Sequence, residues 1–135
     1  MSSTSLVCLD VGEKRIGVAV ADTSIRIAVP FTTVVVDGSE LQSIASIVIR
    51  EGAKTIVVGY PRNQGGDSTA QTAYVEHFAE NLHSMVDHVV FQDESLTSVI
   101  AERRLQESKK PYQKRDIDMH AAAIILQDYL EANYG

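Results

Sequence analysis

The chain has 135 residues, 44% of them apolar and 22% charged, the size and balance of one ordinary folded domain, which excludes the disordered class. Lys and Arg number 12 against 18 Asp and Glu, a formal net charge of −6; this argues against a generic nucleic-acid coat but leaves room for a nucleic-acid enzyme with a local basic patch. The single cysteine, Cys8, excludes an intrachain disulfide framework and a Cys-rich zinc site.

No apolar run approaches the roughly 18 residues that a membrane span needs. The opening Met-Ser-Ser-Thr-Ser has neither the basic flank nor the cleavage site of a signal peptide. The expectation is a soluble, cytoplasmic protein with one domain over residues 1–135, without a membrane partner.

Hydrophobic periodicity then changes along the chain in an informative order. Leu6 to Val11 and Ile16 to Ala21 are apolar runs around the Gly-led polar turn Gly12-Glu13-Lys14-Arg15, which predicts a β-hairpin. Ile27 to Val36 is a β-branched third strand, with Pro30 marking a break or an edge. From Ser39 to Glu51 the pattern is helical, Leu41, Ile44, Ala45 and Val48 sharing a face before the Gly52 stop.

Lys54 to Gly59 is a fourth strand with almost no alternation, as expected when both faces are covered. A loop, a helix from about Ser68 to Met85 and a fifth strand from His88 to Gln92 follow. Two helices close the chain, Thr97 to Glu107 and Asp116 to about Asn133, separated by the Lys109 to Arg115 loop. Three antiparallel strands followed by βαβ units predict an α/β fold. Its sheet is mixed and five-stranded, flanked by helices in the order of the ribonuclease-H-like fold.

Three acids fall at positions suited to chemistry. Asp10 ends the first strand, where a carboxylate costs several kcal/mol unless it is paired or solvated; a turn aspartate bonding the amides of Gly12 or Glu13 is the equal alternative. Glu94 follows the fifth strand at the same edge of the sheet, where a solvated loop or a capping pair with Asp93 is the bland reading. Asp118 sits in the first turn of the last helix, a common place for acids that complement the helix dipole. It shares a face with Ala121, Ala122, Ile125 and Tyr129, the side expected to pack on the sheet.

Like charges brought together repel unless a cation neutralises them, and oxygen-only ligands suit Mg²⁺ or Mn²⁺. Paired hard cations about 4 Å apart serve phosphodiester hydrolysis. Glu94 is the difficult member, because a strand two places from the first lies roughly 9.6 Å away. Lys109, Lys110, Lys114 and Arg115, with Tyr112 among them and Arg103 and Arg104 on the preceding helix, form a basic cluster that either clamps phosphates or is merely solvated. Asn63, in the Pro61 to Gly66 loop, is placed to approach a backbone phosphate or to serve a simple turn.

The run Asp10-Val-Gly-Glu-Lys-Arg-Ile-Gly-Val-Ala19 resembles the opening motif of the YqgF/RuvX family, described as Holliday-junction resolvases and as pre-16S rRNA nucleases. Gly59-Tyr-Pro-Arg-Asn-Gln-Gly-Gly66 is similar to that family's glycine-proline-asparagine loop. Asp93-Glu-Ser-Leu-Thr-Ser98 with Ala101-Glu-Arg-Arg-Leu105, and Ile117 to Leu130, resemble its two later blocks. All four occur in order and at the family's spacing across nearly the whole chain.

The resemblance implies a ribonuclease-H-like, metal-dependent nuclease in which Asp10, Glu94 and Asp118 match the catalytic acids. Asp10 is then expected to bridge two Mg²⁺ or Mn²⁺ ions, with Glu94 and Asp118 each holding one or orienting the attacking water. Lys14, Arg15, Arg103 and the Lys109–Arg115 loop are the expected phosphate ligands. Met119-His120 departs from the family's more usual basic residue.

The implied partners are structured RNA (precursor ribosomal RNA) or branched DNA, with ribosomal proteins or the small subunit as presenting partners. A monomer or weak homodimer is expected. Two other readings stand beside this one: an actin/hexokinase-like ATP-binding protein, which would need a second such domain, and a non-catalytic rRNA-binding module, which needs no convergent acids.

Overall fold

The computed structural model describes residues 4–61, 69–94 and 97–134. The described residues form β1 (Ser5–Val11), β2 (Arg15–Asp22), β3 (Val29–Val35), α1 (Glu40–Glu51), β4 (Thr55–Pro61), α2 (Ala70–Glu80), β5 (His88–Glu94), α3 (Thr97–Glu107) and α4 (Lys114–Tyr134). The strands lie side by side in the order β3-β2-β1-β4-β5. β1 pairs antiparallel with β2, and β2 with β3, whereas β1–β4 and β4–β5 are parallel. This is the mixed five-stranded sheet that the order of apolar runs predicts.

Alternation within the strands sorts the core into two layers. Val7, Leu9 and Val11 of β1 face α1 and α2, packing with Ile44, Val48, Val75 and Phe78. Leu6 and Cys8 face the other way, where Ala122, Ile125, Leu126 and Leu130 of α4 cover them. β1 and β4 are buried on both sides, which is why their apolar runs barely alternate. α3 packs on α4.

The ends of the helices follow local chemistry. α1 stops at Gly52, whose φ of 65° is the left-handed conformation that glycine adopts at least cost; the Ala53 N–H returns to the Val48 carbonyl at 3.0 Å. α2 begins at the capping residue Thr69, which exchanges hydrogen bonds with Thr72. It ends at Glu80, before the expected Met85, because Asn81 to Met85 turn off the helix axis. Met85 nonetheless packs against the core, so the apolar period continued past the helix itself.

α4 begins at Lys114, earlier than expected, and Asp116 explains the start: its Oδ2 accepts the Gln113 backbone N–H at 2.8 Å. Lys114 and Arg115 therefore belong to the helix and not to the preceding loop. Asp118 lies in the second turn, beyond the capping positions. At the far edge of the sheet, the β2–β3 ladder shifts register between Val18 and Ala19, and Pro30 pairs at that irregularity. An edge strand with a bulge is where a residue lacking an N–H is tolerated.

Candidate active site

Asp10 belongs to the face of β1 that carries Leu6 and Cys8, the side covered by α4. Its neighbours on that face are small. Gly17 of β2 stands directly opposite Asp10 in the antiparallel register. A β-carbon at Gly17 would overlap the Asp118 carbonyl oxygen and sit 3.0 Å from the Met119 nitrogen. The missing side chain thus lets the backbone of α4 rest on the sheet beside Asp10, and this places Asp118.

Glu94 arrives differently from what the sequence suggests. It is the last residue of β5, not part of the following loop, and pairs in register with Pro61. β4 separates β5 from β1, as expected. The side chain crosses that strand over Gly59, where a β-carbon would overlap Glu94 Oε2. A strand extended by two residues and a glycine on the intervening strand replace the inward-folding loop.

Asp10, Glu94 and Asp118 line one cleft with Val11, Gly12, Arg15, Pro61 and Gln71, about 250 Å³ in volume. Burial first, then the charges of Glu94 and Asp118, push the Asp10 carboxyl up to about 8. Burial also raises Glu94, and a hydrogen bond from Thr97 Oγ1 to Glu94 Oε1 at 3.2 Å opposes that rise. Thr97 opens α3 and is buried. The adjacent Asp93 stands one step along the strand, on the opposite face; the hydroxyl that meets Glu94 is that of Thr97.

Two further contacts frame the cleft. Gln71 Nε2 donates to the Val11 carbonyl at 3.1 Å, and Thr72 Oγ1 donates to the Pro61 carbonyl at 2.5 Å. They tie the start of α2 to the ends of β1 and β4. Thr97, three residues after Glu94, has a spacing that the sequence displays; Gln71 has no such signal.

This donor set fits a hard divalent cation. It is made of oxygens alone, it concentrates negative charge, and the raised Asp10 carboxyl marks the cost of burying a carboxylate, and of doing so beside two others, without neutralisation. As the described side chains stand, no three or more His, Cys, Asp and Glu are gathered to hold a metal. One arm of the site is already engaged: Arg15 Nε donates to Asp118 Oδ2 at 2.6 Å.

The expected phosphate ligands are distributed unevenly. Arg15 and Lys114 line a second cleft next to Asp118, together with Val99, Glu102 and Ile117. Lys14, Arg103, Lys109, Lys110 and Arg115 are exposed and line neither cleft. Tyr112 is anchored to α3, donating to Glu102 Oε2 at 3.2 Å and accepting from Gln106 Nε2 at 3.3 Å. Asn63 lies outside the described residues. His120 Nδ1 is 2.8 Å from the Asp116 carbonyl, one turn back along α4. Among the described residues no helix is long and apolar enough to cross a membrane.

A ribonuclease-H-like sheet with an acidic cleft between the ends of β1 and β5 and the start of α4 defines the class, a hydrolytic nuclease. The chain belongs to the RuvX family: the family model described as Holliday junction resolvase matches residues 4–132. It is 42% identical to the "Putative pre-16S rRNA nuclease" of Chloroflexus aggregans, over 98% of this chain and 96% of that one. A protein of the same name from Roseiflexus sp. is 40% identical, over 94% of each chain. Among solved structures the chain is similar to T. thermophilus RuvC in complex with Holliday junction substrate, with a TM-score of 0.57 at 14% identity over 96% of this chain and 94% of that one. At that identity the likeness speaks for the fold alone.

Proposed function

We propose that this chain is a divalent-metal-dependent endonuclease that hydrolyses phosphodiester bonds of structured RNA, in maturation of the 5′ end of precursor 16S ribosomal RNA. The observation that carries this reading is the convergence of Asp10, Glu94 and Asp118 on one cleft. The names of the relatives supply the substrate. Branched DNA is the second substrate, favoured by the description of the matching family model. Residues 1–135 act in the cytoplasm as one nuclease domain, monomeric or weakly dimeric, with the small ribosomal subunit or its proteins presenting the RNA.

In this reading Asp10, Glu94 and Asp118 are the residues that would hold Mg²⁺ or Mn²⁺, as a pair of ions. Bound there, the ions supply charge for the attacking water and the leaving oxygen. Asp10 must be ionised to take part, and its burial, reinforced by Glu94 and Asp118, favours its protonated form until a cation is near. Thr97 holds one oxygen of Glu94, which limits the rotamers that Glu94 samples. Lys114, exposed beside Asp118, is placed to receive a phosphate of the strand being cut.

The test is to incubate the protein and its Asp10→Asn variant with a labelled ribosomal RNA precursor and a four-way DNA junction, each with Mn²⁺, Mg²⁺ or chelator. Metal-dependent cutting that the variant loses is the expected result, and the preferred substrate separates RNA maturation from junction resolution. Cutting retained by Asp10→Asn would overturn the site. Binding without cutting, unaffected by metal and by the substitution, would make the protein a binding module.

A further inference from the structure

The carboxylate cleft contains a cation of its own. Arg15 opens β2 and Asp118 lies in the second turn of α4, 103 residues later, yet Arg15 Nε and Asp118 Oδ2 are 2.6 Å apart. The side chains are 35% and 22% exposed, so water screens the pair only in part. Arg15 also lines both clefts, the one with the three acids and the one with Lys114. The guanidinium brings its positive charge and planar set of donors to the edge of the acidic cleft.

The same oxygen cannot serve Arg15 and a divalent cation equally well. A metal ion drawing on Asp118 withdraws the electron density that the Nε hydrogen bond uses, and it repels the guanidinium at close range. Coupling of this kind is reciprocal: whatever Arg15 costs the metal, the metal costs the ion pair.

We propose that Arg15 is the resident counter-ion of the acidic site and sets its metal affinity, competing with the incoming divalent cation for Asp118. Arg15 thereby permits three acids to fold together before any ion arrives. Once displaced, it stands at the rim of the cleft, where a phosphate of the substrate is its next partner. The proposal rests on the reading that the three acids hold a divalent cation.

Mn²⁺ alone is the probe, and binding is measured by calorimetry, without substrate, on the wild type, Arg15→Gln, Arg15→Lys and the pair Asp118→Asn and Asp118→Asn/Arg15→Gln. Thermal melts in EDTA and in Mn²⁺ accompany each titration. Arg15→Gln is expected to bind Mn²⁺ roughly fivefold or more tightly than the wild type. Its melting midpoint falls in EDTA and recovers more than that of the wild type when Mn²⁺ is added.

Arg15→Lys keeps the charge without the short Nε bond and shows a smaller change in the same direction. It decides the matter should Arg15→Gln fail to fold. In the Asp118→Asn background the effect of Arg15→Gln on Mn²⁺ binding largely disappears, because the shared carboxylate charge is gone. Unchanged or weaker Mn²⁺ binding in the folded Arg15 variants overturns the proposal, and weaker binding would make Arg15 an orienting residue for Asp118 instead. Absence of Mn²⁺ binding in every variant sinks the metal reading itself, a result distinct from binding that Arg15 does not affect.

Discussion

Glu94 reaches the cleft only because residue 59 is a glycine. A β-carbon on Gly59 would overlap Glu94 Oε2 and come within 2.8 Å of Ile125 Cδ1. Gly17 does the same service on the other side of Asp10, where α4 lays its backbone on β2. The central acid is therefore flanked on both neighbouring strands by a residue without a side chain. One vacancy admits a carboxylate and the other admits a helix.

Gly59→Ala is expected to push Glu94 out of the cleft. Overpacking against Ile125 and Glu94 should cost about 1–3 kcal/mol of stability. Because the overlap is with the end of a side chain and not with backbone, the fold survives and the loss falls mainly on activity. Metal-dependent cleavage should fall by roughly 10-fold or more, the range that misplacement of a catalytic group produces. A folded Gly59→Ala protein that cleaves at the wild-type rate would show that Glu94 does not need this lane.

Gly17→Ala meets backbone instead, and backbone in the second turn of a docked helix cannot swing aside. The expected cost is about 3 kcal/mol or more, at the upper end of overpacking. Urea unfolding would report it as a lower midpoint with an unchanged slope. The comparison with Gly59→Ala separates the two roles, since Gly17→Ala should lose stability first and activity as a consequence.

The layers of this fold are legible in the sequence because each strand and helix announces which of its faces is apolar. Asp10 and Asp118 are legible for the same reason: Asp10 continues the α4-facing side of β1 and Asp118 the sheet-facing side of α4. The place of Glu94 inside β5 is not, because two polar residues, Asp93 and Glu94, end the apolar run while the backbone ladder with Tyr60 and Pro61 continues. Hydrogen bonding of main chain to main chain does not read side chains, so polarity misplaces the end of β5.

The Arg15–Asp118 pair joins residues 103 positions apart, and no local pattern encodes such a meeting. The clearance roles of Gly17 and Gly59 are hidden for a similar reason. A glycine shows what it lacks, and only the neighbour that fills the space gives that absence a meaning.

The Asp10 carboxyl makes stability in chelator depend on pH. Its value rises from 3.8 to about 8, chiefly by burial and then by Glu94 and Asp118. Between these values the folded protein holds a proton that the unfolded chain has released, so stability falls as pH rises from about 4 to about 8 and levels off above. The raised Glu94 adds to the same trend. Thermal melts in EDTA should therefore show a falling midpoint over this window, and Mn²⁺ should flatten it by neutralising the acids.

Asp10→Asn removes the titrating group and with it much of the slope. At pH 8 in EDTA the variant should melt higher than the wild type by roughly 3–6 °C, equivalent to about 1 kcal/mol for a domain of this size, while being inactive. A midpoint that is flat with pH in the wild type, or lower in Asp10→Asn, would show that burial and the neighbouring acids do not raise the Asp10 carboxyl in the folded protein.

Thr97 supplies the last prediction, because its hydroxyl both orients Glu94 and holds its proton affinity down. Thr97→Val keeps the shape of the buried side chain and deletes the donor, so the cost in stability should be modest, about 1 kcal/mol. Without the hydrogen bond the Glu94 carboxyl rises further, and the acid limb of the pH–rate profile moves to higher pH. Below that limb activity falls, with the loss in kcat and little change in KM, since Thr97 meets Glu94 and not the strand being cut. Thr97→Ser restores the donor and should return the profile toward that of the wild type. If Thr97→Val and Thr97→Ser show the same acid limb as the wild type, the hydroxyl belongs to the start of α3 alone.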